Sequence, residues 1–526
     1  MARSAQPLGL LRLAGGGLAL ALVAALTLGS VAVLLARAEP GRALGPAEWA
    51  ALRFTLTQAF LSAVLSTALA VPAARALARR RFPGRTALIA LTGAPFLLPA
   101  IVAVFGLLAI WGRAGLASRA LESLGAPGLD IYGLTGVVLA HVFFNLPLCT
   151  RLVLQGWLAI PPEHFRLAAQ LGLAPGDVAR RIEAPMLRGV LPGAFVLVFL
   201  LCMTSFAVAL TLGGGPRATT VELAIYQALR FDFDLGRAAW LALIQFGLCA
   251  AVAALALRFA AEADFGASLG GAVRRWDAES PGLRALDALV LGALALFVGL
   301  PLAAVAARGL LALAAGLPAA VWPAAARSLG VALVSAALAL ALGAALAALI
   351  DARRARGGGR AIEGFALLAL AASPFVIGTG LFIAIRPLAD PFALALPVTA
   401  TVNAAMALPF VLRALLPALA AARMRDGRLA ESLGITGAAR LRLVTWPHLR
   451  RPAGFAAGIA AALSMGDLGV IALFAPPEVA TLPLLMQRLM AGYRMEAASG
   501  VALVLVALTY ALFWIFDRGG RPNAPA

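Results

Sequence analysis

Few polar side chains in the apolar stretches of this chain could bind a solute. Asp467 interrupts one such stretch. A carboxylate there costs about 2.5 to 3.5 kcal/mol on insertion scales, so a bonding partner or a water-filled cavity is expected around it. His141 and Asn145 lie one helical turn apart and share a helix face. These three residues are candidates to line a translocation path, and hydrogen bonding between helices is the alternative.

A run of three glycines, Gly213, Gly214 and Gly215, precedes an amphipathic stretch that contains Glu222. Glycine runs can cradle phosphate, but that chemistry needs a strand, a loop and a helix around the run. We therefore interpret the glycines as a turn that positions residues 221–229. That stretch is a candidate gate or docking surface, with Glu222 facing a partner protein.

Catalytic and metal chemistry have little support in the sequence. The chain contains no lysine, so it cannot form the phosphate-binding loop of a nucleotide hydrolase. No serine, histidine and aspartate combination, zinc-ligand spacing or carboxylate pair is evident. Cys149, Cys202 and Cys249 lack paired spacing, which favours buried thiols over a disulfide or a zinc site. We expect no catalytic residue, no metal and no cofactor held by this chain.

A short polar segment occurs twice. Residues 161–188 match residues 423–450 without a gap, within loops at 161–188 and 423–451, and from Gly172 to Gly434 is 262 residues. An ungapped internal match of this length indicates a duplication. In each copy a helical stretch ends at the glycine, which suits a helix C′ position with positive φ. A second amphipathic stretch then leads to a proline.

The first stretch of each copy presents an apolar face. Its members are Leu167, Ala168 and Leu171 in one copy and Leu429, Ala430 and Leu433 in the other. Such a face can dock on a partner protein, and an amphipathic connector lying on the lipid surface is the plainer alternative. The duplication favours docking.

Membrane helices must carry these segments. Of the 526 residues, 62% are hydrophobic, whereas about half is usual for a soluble domain. A helix needs roughly 20 apolar residues to cross a bilayer, and about a dozen stretches qualify. They lie near residues 12–36, 55–78, 86–111, 132–157, 189–212, 239–260, 284–308, 327–350, 362–386, 392–416, 452–475 and 495–516.

The net charge of +19 would suggest nucleic acid as the partner of a soluble protein. The arginines instead follow the positive-inside rule for membrane proteins, so no nucleic-acid partner is expected. The first apolar stretch is longer than the roughly 7 to 15 residues of a signal-peptide core, and we interpret it as an uncleaved span. An even number of spans then places both termini in the cytoplasm.

The repeat divides the chain into two tandem halves. We predict a first half at residues 1–260, a linker at 261–283 rich in Gly, Ser and charge, and a second half at 284–526. Equal numbers of spans give the halves the same orientation, as in parallel repeats. The predicted fold is an all-α polytopic membrane protein, with about 12 transmembrane helices in two tandem parallel six-helix halves.

The repeated segment resembles the coupling loop of type I ATP-binding-cassette (ABC) importer permeases. That signature is Glu-Ala-Ala, three residues, Gly, nine residues, Ile, one residue and Leu-Pro. The corresponding residues are Ala168, Gly172, Ile182 and Pro185, and Ala430, Gly434, Val444 and Pro447. Arg166 and Arg428 replace the signature Glu, so any salt bridge that the family makes through it is in doubt.

Longer strings resemble the thiamine importer permeases. They include Arg80 to Arg85, Leu139 to Pro147, Leu212 to Leu229 and Ser464 to Val470. The resemblance implies a bacterial inner-membrane permease for thiamine, with thiamine phosphate esters as further candidate cargo, that is not itself an enzyme. A ferric-iron importer permease and an ion-driven 6+6 secondary transporter are the alternatives.

The resemblance also implies partners. Two copies of an ABC ATP-binding subunit would bind ATP and magnesium, and each would hold one coupling helix. A periplasmic or lipid-anchored thiamine-binding protein would deliver the cargo. ATP-driven closure of the two subunits would rotate the two halves and give alternating access.

Overall fold

The computed structural model describes residues 8–38, 44–215, 218–259, 275–354, 359, 362–363 and 372–520. These residues form helices and connecting turns, without a strand. Helices are expected because a segment in lipid must satisfy its backbone N–H and C=O groups internally. Ten helices in the described ranges are long and apolar enough to cross a membrane. The prediction of an all-α polytopic membrane protein is confirmed.

The helices up to residue 259 form the first repeat. They are α1 (Leu8–Ala24), α2 (Ser30–Arg37), α3 (Pro46–Arg79), α4 (Arg85–Leu91), α5 (Ala94–Leu97), α6 (Ala100–Trp111), α7 (Leu116–Ser123), α8 (Leu134–Ala159), α9 (Pro162–Gln170), α10 (Pro175–Val178), α11 (Ala184–Met203), α12 (Phe206–Leu212), α13 (Val221–Arg230) and α14 (Leu235–Phe259). π-Helical turns at Ala25–Gly29 and Ala179–Glu183 join α1 to α2 and α10 to α11.

The helices from residue 281 onward form the second repeat. They are α15 (Pro281–Ala315), α16 (Val321–Arg354), α17 (Pro374–Ile385), α18 (Ala395–Ser432), α19 (Gly437–Arg440), α20 (Trp446–Met465), α21 (Gly469–Phe474), α22 (Leu482–Ala491) and α23 (Met495–Gly520). A π-helical turn at Leu441–Thr445 joins α19 to α20. Most of the predicted linker, residues 261–274, lies outside the described residues.

Four of the twelve predicted spans differ from continuous helices, and one of them, at 189–212, is divided between α11 and α12. The span at 86–111 is divided among α4, α5 and α6, and that at 452–475 between α20 and α21. Neither α20 nor α17 is among the ten membrane-crossing candidates, and part of the span at 362–386 lies outside the described residues. Pro99 and Gly466 lie at the interruptions, where proline and glycine disfavour a continuous helix.

The duplication is visible in the bounds of the helices. α10, its π-helical turn and α11 recur as α19, its turn and α20, each starting and ending 262 residues later. The copies differ where α8 ends before α9 while α18 continues through the matching region. Pro161 and Pro162 occupy this position in the first copy, and Arg423 and Met424 in the second. Proline removes a helix donor and clashes with the preceding turn, which explains the break.

The first helices of the two repeats are exchanged. α1 and α2 pack against α16 and α17 of the second repeat, and α15 packs against α6 of the first. Glycines permit these close crossings: a Cβ built on Gly106 would lie 2.8 Å from the carbonyl oxygen of Pro301. A Cβ built on Gly380 would lie 2.5 Å from the Cβ of Ser30. The two repeats are therefore interlocked.

Adding one methyl group at these crossings tests the interlock. We expect Gly106→Ala and Gly380→Ala each to lower the thermal unfolding temperature of the detergent-purified protein. The new methyl group must displace backbone atoms of the neighbouring helix, and overpacking of this kind costs about 1–3 kcal/mol.

Gly247→Ala and Gly330→Ala are matched controls, since nothing lies within 4 Å of a Cβ built on either glycine. Alanine is favoured over glycine within a helix by about 0.5–1 kcal/mol, so the controls should unfold at the same or a higher temperature. Equal unfolding temperatures for all four variants would contradict the close crossing.

Candidate coupling loops and translocation path

Each repeated loop begins with a helix that ends at a left-handed glycine. The φ angles of Gly172 and Gly434 are +62° and +65°, as predicted. The N–H after each glycine donates to the carbonyl oxygens of Ala168 and Ala430, at 3.0 Å and 2.8 Å. This bond closes a Schellman motif, in which glycine at C′ avoids the penalty of a Cβ. Both loops therefore turn sharply at the same place.

Two leucines one turn apart project from each loop helix. Their exposed fractions are 53% for Leu167, 65% for Leu171, 59% for Leu429 and 64% for Leu433. Ala168 and Ala430 are only 2% exposed, because they pack inside the chain rather than on the predicted apolar face. The surface presented by each loop is therefore a leucine pair.

The remaining predicted loop residues lie at the start of the following helix. Ile182 and Val444 are partly buried within the π-helical turns, and Pro185 and Pro447 are exposed in the first turns of α11 and α20. The loops thus join the membrane helices through equivalent backbone.

A buried carboxylate anchors the first loop. Glu183 accepts from Arg75 of α3 at 2.8 Å and from Arg275 at 2.7 Å. The guanidinium of Arg275 also lies 4.2 Å from the ring centre of Phe165, in α9. Two arginines from distant parts of the chain, Arg75 and Arg275, therefore hold one side chain of the first loop.

The same network continues into the second repeat. Arg275 forms two hydrogen bonds of 2.7 Å with Asp277. Burial alone would raise the pKa of Asp277, yet the hydrogen bonds and charge of Arg275 hold it below its usual value. Asp287 of α15 accepts from Arg79 at 2.8 Å and from Arg80 at 2.6 Å. These pairs tie α3, the first loop and α15 into one cluster.

The second loop lacks this anchor. Thr445 takes the place of Glu183. His448 and Asp426 are 2.5 Å apart, and the Arg423–Asp351 pair is partly exposed. Such exposed pairs stabilise a fold by about 0–1 kcal/mol. The two loops therefore share a backbone shape but differ in how firmly charges fix them.

The substitution Glu183→Gln tests the anchor of the first loop. Removing one partner of a buried ion pair costs about 3–5 kcal/mol. Here Arg75 would lose the carboxylate with which it pairs, and Arg275 would be left with Asp277. We expect a clear fall in the thermal unfolding temperature of the detergent-purified protein.

Arg423→Gln is the matched control, because it breaks the exposed pair of the second loop. Its unfolding temperature should stay close to that of the unsubstituted protein. If the control lowered the unfolding temperature as much as Glu183→Gln, the difference between the two loops would be disproved.

Two of the predicted path residues bond to neighbouring helices. His141 is buried and its Nδ1 lies 3.4 Å from Ser62 of α3. Asn145 is also buried, and it donates to the carbonyl oxygen of His141 and, at 3.3 Å, to the sulfur of Cys202. These contacts support hydrogen bonding between helices rather than contact with a solute.

A matching polar cluster occurs in the second repeat. Asn403 takes the place of His141 and donates to Ser464 at 3.1 Å. Ser464 in turn donates to Ser335 at 3.0 Å. The duplication has therefore preserved a polar junction among three helices while the residue types changed.

Asp467 lies between α20 and α21. It is partly buried, and its carboxylate oxygens accept long hydrogen bonds of 3.4 Å from the N–H groups of Val470 and Ile471. These contacts cap the start of α21. The first repeat has a matching interruption between α11 and α12, where Ser205 takes the place of Asp467. Interrupted membrane helices often line a transport path.

A cavity of about 500 Å³ lies between the repeats. Phe96, Phe144 and Arg151 of the first repeat and Phe455 and Tyr510 of the second line part of it. The hydroxyl of Tyr510 donates to a first-repeat carbonyl oxygen at 3.0 Å. Contact with both repeats makes this cavity a candidate part of the path.

Two arginines lie at equivalent positions of the repeat, and one of them, Arg151, lines this cavity. Arg151 of α8 and Arg413 of α18 are exposed and lie 262 residues apart. Phe410, one turn before Arg413, packs edge-on against Phe96 at 5.8 Å. The sequence analysis missed this pair, although ionisable residues within membrane spans are themselves a signal of a water-filled site. Applying the register of the repeat to arginines would have found it.

Comparison with known proteins identifies the family. No family model matches the chain. The thiamine transport system permease protein ThiP of Brucella abortus strain 2308 is 44% identical over 523 residues, which cover 97% of this chain and 96% of the relative. Proteins of the same name from Salmonella typhimurium and Escherichia coli K12 are 39% and 38% identical, over 89% of both chains in each case. The chain belongs to the thiamine transport system permease family.

A shorter match links this thiamine permease family member to another permease. The molybdenum transport system permease protein ModB of Mycobacterium bovis is 34% identical over 203 residues, which cover 38% of this chain and 75% of the relative. A match to less than half of the chain fits a protein assembled from two permease units. The chain is accordingly a multi-pass transport subunit rather than an enzyme.

The predicted glycine turn is present in this thiamine permease, but Glu222 does not lie on the surface. Gly214 and Gly215 have φ angles of +75° and +120° and are exposed, whereas Gly213 is buried. Glu222 is 1% exposed, and its carboxylate oxygens have no hydrogen-bond partner among the described residues. Burial raises the pKa of Glu222 to about 8. It therefore does not face a docked protein in this conformation.

The short helices α13 and α22, which follow α12 and α21, are held at their first residues by similar hydrogen bonds. Val221 at the start of α13 donates to Thr55 of α3 at 2.9 Å. Leu482 at the start of α22 donates to Ser328 of α16 at 2.8 Å. Both short helices are largely buried. The sequence predicted the amphipathic stretch at residues 221–229 but not its burial. An amphipathic pattern does not show which neighbouring helix covers the polar face.

Proposed function

We propose that this chain is the membrane permease of an ATP-driven importer. Its cargo is thiamine, with thiamine phosphate esters as further candidates, and it transports by alternating access into a bacterial cytoplasm. The carrying observation is the pair of repeated loops, each of which presents exposed leucines on the same backbone frame. Family membership supports the choice of thiamine over ferric iron and over an ion-driven transporter.

Two ABC ATP-binding subunits are the proposed partners of the loops. One subunit docks on Leu167 and Leu171, and the other on Leu429 and Leu433. Burying an exposed leucine side chain at an interface removes apolar area from water and contributes about 1.5–3 kcal/mol. The chain has no lysine for a phosphate-binding loop, so ATP and magnesium are bound by these partners. A periplasmic or lipid-anchored thiamine-binding protein delivers the cargo at the opposite face.

The proposed organisation follows the repeat. Residues 1–260 and 284–526 are the two permease halves, joined by a linker at 261–283, and their coupling loops are residues 161–188 and 423–451. Arginines such as those near the end of α3 support placing the loops and both termini in the cytoplasm of an inner-membrane protein.

The proposed path runs between α8 and α18. The exposed arginines on these helices and the cavity between the repeats support a polar route there. Asp467 is a candidate lining residue, and α13 and α22 are candidate gate helices at the far end of the path. His141 and Asn145 shape the path from behind, through their bonds to adjacent helices.

Uptake of labelled thiamine tests this function. The chain is reconstituted in proteoliposomes with its ATP-binding subunit and binding protein, with and without internal ATP. We expect ATP-dependent thiamine uptake, and we expect Leu171→Glu with Leu433→Glu to reduce it at least tenfold. A buried interface anchor contributes about 2 kcal/mol or more, and a carboxylate in its place must be desolvated.

Leu124→Glu is the matched control, because Leu124 is 81% exposed outside both loops. It should leave uptake unchanged. Full uptake by the double variant would refute the coupling assignment. Uptake of ferric iron instead of thiamine would replace the cargo while keeping the class, and uptake by the chain alone would move it to the secondary transporters.

A further inference from the structure

A large cavity in the described part of the chain lies apart from the proposed path. It has a volume of about 1050 Å³ and lies where the end of α3, the start of α4 and the start of α15 meet. Its lining residues include Arg79, Arg80, Arg81, Phe82, Leu88, Arg275, Glu279, Arg284, Asp287, Leu291, Gly292 and Ala295. None of the predicted path or loop residues is among them.

The rim of this cavity carries an excess of positive charge. Five arginines line it, against the two carboxylates of Glu279 and Asp287. Asp287 already pairs with Arg79 and Arg80, and Nη2 of Arg80 is buried without a hydrogen-bond partner. The rim therefore has N–H donors that can bind an anion from outside the protein.

Two further arginines of the rim are available to a ligand. Arg81 and Arg284 are exposed, and among the described residues neither has an ion pair or a side-chain hydrogen bond. They flank the cavity from different segments of the chain, one before α4 and one in the first turns of α15. Guanidinium groups placed this way can hold a phosphate with several charge-assisted bonds.

The inner wall of the cavity is apolar. Leu88 of α4 and Leu291, Gly292 and Ala295 of α15 form it, and α15 is one of the membrane-crossing helices. The site thus passes from a cationic rim into an apolar groove along a membrane helix. A ligand that matches both parts has an anionic head and a hydrocarbon chain.

We propose that this cavity binds an anionic phospholipid. The phosphate of the head group lies among Arg80, Arg81 and Arg284, and an acyl chain lies along the groove beside Gly292. Basic pockets between membrane helices are known to hold such head groups. A free phosphate would leave the apolar wall unused, and a zwitterionic lipid brings its own cation. The leaflet, which rests on the proposed orientation, is the cytoplasmic one.

A bound lipid would lie beside the charge network of the first loop. Arg275 and Asp287 belong to both the cavity and that network. The lipid would therefore stabilise the junction of α3 with α15, which connects the first loop to the second repeat. The second loop has no equivalent charged junction in the described residues.

Lipid binding to the delipidated full-length protein in neutral detergent tests the proposal. Native mass spectrometry and thermal unfolding are measured with phosphatidylglycerol, with phosphatidylcholine and with glycerol phosphate. We expect phosphatidylglycerol alone to bind and to raise the unfolding temperature. The double variant Arg81→Gln, Arg284→Gln should bind it about 30-fold more weakly, since each arginine near a membrane surface contributes about 1 kcal/mol.

Arg353→Gln with Arg451→Gln is the matched control, since both arginines are exposed and lie outside the cavity. It removes the same charge and should bind phosphatidylglycerol like the unsubstituted protein. Gly292→Trp is a second test that keeps every charge: nothing lies within 4 Å of a Cβ at Gly292, so the indole would fill the groove and weaken binding.

Three results would overturn the proposal. Binding of phosphatidylglycerol by the double variant as tightly as by the control would show that these arginines are not the site. Equal binding of phosphatidylcholine would remove the charge argument. Equal binding of glycerol phosphate would reduce the site to a simple anion site. None of these outcomes depends on thiamine uptake. The lipid-binding proposal can therefore hold even if the proposed transport function fails.

Discussion

The close crossing of helices from opposite repeats is the constraint on which the rest of the structure depends. At Gly106 against Pro301 and at Gly380 against Ser30, the backbones approach too closely for a Cβ. In lipid the hydrophobic effect does not draw helices together, so close packing at small residues must do so. Because each crossing joins one repeat to the other, a displacement of one repeat acts directly on helices of the other.

Charge then distinguishes two loops that the backbone makes alike. The first loop is fixed by Glu183 between Arg75 of α3 and Arg275 of the predicted linker. The second loop has Thr445 at that position and relies on partly exposed pairs. A single chain that carries both copies is free to diverge in this way, whereas two identical chains are not. Buried charges therefore fix the first loop more firmly than the second.

Periodicity and the internal repeat allowed much of the fold to be predicted. Apolar stretches indicated most of the membrane helices, and the position of a glycine after each repeated helix indicated the left-handed conformation of Gly172 and Gly434. The interruptions near Ser205 and Asp467 were not predicted, because a single polar residue in an apolar run does not show that the helix stops there. The exchange of first helices depends on contacts between distant segments, which no local pattern records.

The candidate site was predicted less completely than the fold. The exposed leucines followed from the loop pattern, but the burial of Ala168 and Ala430 depends on which side of the helix meets the bundle. Arg151 and Arg413 could have been recognised from the register of the repeat. The burial of Glu222 could not have been recognised from the sequence, since its environment is formed by segments that are far apart in the chain.

We propose that ATP-driven closure of the two ATP-binding subunits draws the two loops together and that the interlocked repeats transmit the movement. The most direct test is the distance between spin labels at Ala169→Cys and Glu431→Cys, which are equivalent exposed positions that spare the leucines. The buried Cys149, Cys202 and Cys249 are first replaced by serine or alanine, and the importer is assembled with its ATP-binding subunits. The account predicts a shorter label-to-label distance with ATP bound than without nucleotide. An unchanged distance in an assembly that still hydrolyses ATP would contradict it.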